Sequence, residues 1–118
     1  MSEQHGIIVA RELGVAIHSL RDINDAIGAC IGRGGLLLTE ADLGPTFFDL
    51  HSGLAGELLQ KLVNYRVRTA IVVAQPALYG ERVVELAREH RSHPLIRFLP
   101  SEEEARDWLG AAEATRGG

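Results

Sequence analysis

The sequence predicts an α/β domain with a mixed sheet of about five strands packed with about four helices, in the order β-β-α-β-α-β-α-β-α. Three observations predict it. Short apolar runs, GLLLT at Gly35 to Thr39 and TAIVVA at Thr69 to Ala74, read as central strands covered by helices. Around them apolar residues recur three and four apart, which is the spacing of a buried helix face. Clusters of glycine, proline and short polar residues separate these segments as turns.

Taken in order, GIIVA at Gly6 to Ala10 and VAIH at Val15 to His18 are β-branched runs joined by Arg11 to Gly14, which suits an antiparallel hairpin. Leu20, Ile23, Ala26, Ile27, Cys30 and Ile31 then make one helix face, with Ser19 or Asp22 as its cap. Gly32 to Gly35 closes that helix, because glycine reaches the left-handed conformation without steric cost. These glycines follow a helix and precede a strand, the reverse of a phosphate-cradling loop. After the strand Gly35 to Thr39, Thr46 with Asp49 three residues on approaches a capping box, and Ser52 is the alternative cap for a later start.

Leu54, Ala55, Leu58, Leu59, Leu62 and Val63 form the next apolar stripe, opposite Glu57, Gln60, Lys61 and Asn64. A strand at Thr69 to Ala74 follows. Glu81 to Glu89 reads as a helix through Val83, Val84, Leu86 and Ala87, stopped at Pro94. Leu95 to Leu99 is a last strand, and Ser101 with Glu104 starts a last helix. The small, polar tail from Gly110 to Gly118 is expected to fray.

With 118 residues, the chain is long enough for one domain with a core and too short for two ordinary ones. Its net charge of −4 gives no global field for nucleic acid. There is one cysteine, Cys30, so no intrachain disulfide forms. The start, MSEQHG, lacks the features of a secretory signal, and no apolar run approaches the roughly 20 residues of a membrane span. The expected location is cytoplasmic.

The string FFDLHSGLAGELLQKLVNYRVR, then AIVV and YGERVVELAREHRSHPLIRF, resembles the domain-of-unknown-function family DUF4180 over nearly the whole chain. That family brings no established activity with it. More distantly, the element order and Asp49-Leu50-His51-Ser52-Gly53-Leu54 resemble the STAS domain of anti-sigma-factor antagonists. Its members carry D-S-[ST]-G-L at a helix start; here one extra residue separates aspartate from hydroxyl. This resemblance implies a STAS-like sheet and a phospho-acceptor at Ser52, modified by a partner kinase.

The residues themselves offer several candidate sites. A serine before a helix ordinarily caps it; a phosphate there is also electrostatically favoured. Asp49, His51 and Gly53 flank Ser52 on the same expected docking surface. Glu40, Asp42, Phe47 and His51 are the expected lining of a pocket at the carboxyl edge of the strands, where open α/β sheets hold ligands. A Ser52-His51-Asp49 relay is not expected, because sequence neighbours on a helix point in different directions and no G-x-S-x-G turn is present.

His90 and His93 lie three apart without a third ligand, so no metal is expected. Lys61, Asn64, Tyr65 and Arg66 form a polar helix end that is either solvated or partner-facing. Phe47 and Phe48 cannot both face inward easily, so one of them lines a pocket or a dimer interface. The reading is a non-enzymatic, cofactor-free regulatory or protein-interaction module, switched at Ser52, with an unidentified protein partner such as a kinase or regulator. A homodimer is a further expectation; nucleic acid and membrane are not. The alternative is a small-molecule-binding domain using the pocket.

Overall fold

The computed structural model describes residues 7–14, 16–30 and 35–117. Among these described residues four strands, Ile7–Val9 (β1), Gly35–Thr39 (β2), Thr69–Val72 (β3) and Ile96–Leu99 (β4), form one sheet in the order β1-β2-β3-β4, and every neighbouring pair is parallel. The helices are Ala10–Leu13 (α1), Leu20–Cys30 (α2), Glu40–Phe48 (α3), Leu54–Asn64 (α4), Glu81–Glu89 (α5) and Glu102–Gly117 (α6). Short 3-10 turns lie at Leu50–Ser52 and Pro76–Tyr79.

A parallel sheet in sequential order has its layers fixed by handedness. Right-handed crossovers between successive neighbours all pass over the same face. Ile8, Leu36, Leu38, Ile71, Ile96 and Phe98 on that face pack with Ile23, Ile27, Leu43, Phe47, Leu58 and Leu62 of α2, α3 and α4, with Leu86 and Ala87 of α5 at the margin. The other face, through Val9, Leu37 and Ala70, receives α6 by way of Ala105 and Leu109. Since α6 follows the last strand, it crosses over to nothing and is available for that side.

The expected five-stranded mixed sheet is corrected by this arrangement: the opening hairpin does not form. After β1 the chain turns into α1, and Gly14 ends it in the left-handed conformation (φ 72°). Ala16 to His18 are not in a strand, and Val15 lies outside the described residues. Ile17 is fully buried, but its N–H donates to the Asp42 carbonyl at 2.7 Å. Its apolar character therefore serves a connection pinned to α3, with no ladder partner.

A further correction concerns a helix start; at the other end of the chain, α6 extends as far as Gly117. The capping interaction of α3 falls at Thr39 rather than Thr46: the Asp42 carboxylate accepts the Thr39 N–H at 2.8 Å and its hydroxyl at 3.0 Å. Gly32 to Gly34, expected to close α2, lie outside the described residues. Other local readings hold. Ser19 accepts the Asp22 N–H at 3.4 Å, Asp22 accepts the His18 N–H at 2.9 Å, and Ser101 accepts the Glu104 N–H at 3.2 Å. No helix among the described residues is long and apolar enough to cross a membrane.

Candidate functional site

The carboxyl ends of β2 and β3 lead into the segments that build the site. Past Thr39 the chain enters α3, which breaks at Gly44 (φ 70°, ψ 170°) and restarts at Pro45. Proline suits a first helical turn because its missing N–H has no partner there anyway. The restart sets Phe47 inward, 1% exposed, and leaves Phe48 facing the neighbouring loop. The two rings meet edge to face at 5.3 Å.

That neighbouring loop comes from β3. Its Pro76–Tyr79 turn brings the Tyr79 ring flat against Phe48, with centroids 3.9 Å apart and planes 11° from parallel. Glu40 holds the arrangement from below. One carboxylate oxygen accepts the Ala74 N–H at 3.0 Å and the other accepts the Tyr79 hydroxyl. The bond to Glu40 raises the Tyr79 pKa above its ordinary value, with desolvation and the carboxylate charge adding in the same direction.

A cleft of about 290 Å³ opens beside this stack, lined by Phe48, Asp49, His51, Tyr79 and the start of α5 from Gly80 to Val83. Gly80 occupies the cap position of α5 at φ 109° and offers no side chain to the first N–H groups of the helix. Arg82 and Glu81 bring opposite charges to the same lining.

The residues expected to act together take different parts. His51 and Asp49 line the cleft, and they are joined by the His51 backbone N–H to Asp49 Oδ1 at 3.2 Å, so the imidazole is not the partner in that bond. Ser52 is exposed; its hydroxyl donates to the Thr46 carbonyl at 2.8 Å and accepts the Leu54 N–H at 3.2 Å. It thus ties α3 to the first turn of α4. Gly53 follows in the left-handed conformation (φ 81°), which lets the chain turn into α4.

Asp42 and Phe47, expected in the pocket lining, stand elsewhere: Asp42 is buried against Thr39 and Phe47 is in the core. Glu40 supports the cleft through Tyr79 without being one of its lining residues. Lys61, Asn64, Tyr65 and Arg66 lie at the far end of α4, about 15 Å of helix from Ser52 at 1.5 Å per residue. Tyr65 is 56% exposed, beside the exposed Val63. Among the described residues, no group of three His, Cys, Asp or Glu side chains is placed to hold a metal ion.

Sequence reasoning missed Tyr79, Gly80 and Arg82. The available signal was a strand followed by a turn, a glycine and a helix start, Thr69 to Val83, which marks the carboxyl edge of a parallel sheet.

The family model for Domain of unknown function (DUF4180) matches residues 2–109, and the chain belongs to that family. No curated protein matches it, and no solved structure does.

Proposed function

We propose that this member of the DUF4180 family is a non-catalytic binding domain whose working surface is the cleft between Phe48 to His51 and the start of α5. Its ligand is a small metabolite with an acidic group and at least one hydrogen-bond donor. The observation that carries this reading is the convergence of the Phe48–Tyr79 stack, His51, Arg82 and the uncapped start of α5 around one cleft. Open parallel sheets hold ligands at that edge.

The chemistry of the lining supports the ligand class. The N–H groups and partial positive charge of a helix start favour an acidic group, and Arg82 adds a full charge. Asp49 and Glu81 accept hydrogen bonds and favour a donor on the same ligand. Thermal denaturation of wild type and Arg82→Ala with pooled polar metabolites tests this. A ligand present at 100 times its Kd stabilises the fold by about 2.7 kcal/mol. A pool that raises the wild-type midpoint and leaves Arg82→Ala unmoved supports the reading; no active pool, or equal shifts, contradicts it.

A second reading, a cytosolic regulatory module switched at Ser52, is supported by the exposure of Ser52 beside His51 and by the STAS-like string Asp49 to Leu54. A phosphate on Ser52 removes the hydrogen donated to Thr46 and loosens the joint between α3 and α4, which carries one wall of the cleft. A kinase or another regulator is the partner this reading requires. Affinity capture with wild type and Ser52→Asp tests it: a protein retained by only one of the two supports a switch, and identical captures contradict it.

A further inference from the structure

The cleft beside the Phe48–Tyr79 stack is lined by side chains of both charges. Asp49, Glu81 and Arg82 all belong to its lining, yet among the described residues no ion pair joins Arg82 to either carboxylate. Asp49 uses Oδ1 to accept the His51 N–H at 3.2 Å, and its Oδ2 makes no hydrogen bond to a described residue. All three residues are exposed, so a ligand reaches them from solvent. A ligand that carries only an acidic group gains Arg82 and the start of α5, but two carboxylates in the same lining repel it. A zwitterion matches both signs.

The apolar part of the lining constrains the rest of the ligand. Phe48 and Tyr79 are half-buried, so their rings keep surface that the core does not cover. Aromatic rings attract one another by more than the area they bury, through offset or edge-to-face packing. A volume of about 290 Å³ lies at the bottom of the range for small-molecule pockets, about 300–1,000 Å³, which suits a ligand of amino-acid size rather than a nucleotide.

We propose that the cleft binds a free aromatic α-amino acid. Its carboxylate meets the Arg82 guanidinium and the first N–H groups of α5, and its ammonium meets Asp49 and Glu81. Its ring packs against the Phe48–Tyr79 stack. This rests on the cleft being the working surface, and it names the ligand class for that surface.

Calorimetric titration of the full chain tests it, with L-phenylalanine, L-tyrosine and L-tryptophan against L-leucine and against the deaminated acid and decarboxylated amine of each aromatic. At least one of the three aromatic amino acids should saturate, and bind about tenfold tighter than L-leucine and than its own acid and amine. Asp49→Asn and Glu81→Gln should weaken that amino acid and strengthen its deaminated acid, because each removes a partner of the ammonium and a source of repulsion for a lone carboxylate. Asn keeps an oxygen for the His51 N–H, and Glu81 is exposed, so both variants keep the fold. The proposal is overturned by no saturation with any of the three, by L-leucine or the deaminated acid binding as tightly, or by variants that leave the amino acid unaffected or weaken it and the acid alike. A deaminated acid that binds as tightly and is lost in Arg82→Ala overturns the amino-acid class and leaves the cleft reading standing. If this panel and the metabolite pools are all inactive, both fail.

Discussion

Glu40 and Tyr79, 39 residues apart, are bonded side chain to side chain across the carboxyl ends of β2 and β3. Glu40 begins α3 and Tyr79 ends the turn before α5, so one hydrogen bond links the two segments that carry the cleft. The carboxylate's other oxygen takes the Ala74 N–H, which leaves Glu40 fixed at both oxygens.

Tyr79→Phe keeps the stack on Phe48 and removes this bond. The expected loss is about 1.5–3 kcal/mol, the range for hydrogen bonds to charged groups, read from urea denaturation at neutral pH. The Tyr79 pKa is raised in the fold, so its contribution is complete below the ordinary tyrosine value of about 10 and declines as pH rises through the folded value. The difference between wild type and Tyr79→Phe should therefore shrink in alkali.

His93 carries the opposite dependence. Its Nδ1 accepts the N–H groups of Leu95 and Ile96 at 3.0 and 3.1 Å, so the neutral ring holds the start of β4. Its pKa is lowered by burial, then by His90 and Arg97. A depressed value means the stability is present above the ordinary imidazole value of about 6.5 and is lost as pH falls through the folded value. Urea midpoints measured from neutral to mildly acidic pH should fall more steeply for wild type than for His93→Asn.

Gly35→Ala should weaken the seat of α6. A Cβ there meets Leu109 Cδ2 at 2.9 Å and the Arg68 carbonyl at 3.1 Å. The neighbour on one side is backbone, and overpacking of this kind costs about 1–3 kcal/mol. Gly44→Ala should also destabilise, because a Cβ there meets the His18 ring at 2.7 Å and the backbone is at φ 70°. Thermal midpoints of both variants check this.

Ser52→Ala removes a cap on Leu54 and a bond to Thr46, with an expected cost of about 1 kcal/mol in denaturant titration. A loss well above that range would show that the joint between α3 and α4 bears more of the fold than these two bonds convey.

Where the deciding interaction was local, the sequence was legible. Gly35 to Thr39 and the stripe of α4 follow from composition and spacing, and Ser101 with Glu104 starts α6 as a three-residue pattern predicts. Where two similar patterns competed, it was not. Thr39 with Asp42 and Thr46 with Asp49 have the same spacing, and the kink at Gly44 together with the buried Asp42 decided for the first. Ile17 reads as strand because burial and β-branching are what strands share with buried loops; its bond to Asp42 is invisible at sequence range. His51 was expected in the pocket and lines the cleft, whereas Asp49, expected on the docking surface, lines it as well. Tyr79 and Arg82 were not legible, because only the parallel pairing of β2 with β3 brings their loop alongside.

Amide shift mapping of the isotope-labelled protein against a library of polar metabolites tests the cleft. At least one ligand should give saturable shifts that centre on Phe48 to His51 and Tyr79 to Val83 and vanish in Arg82→Ala. Ligands that shift only residues elsewhere, or a library that shifts none, would contradict it.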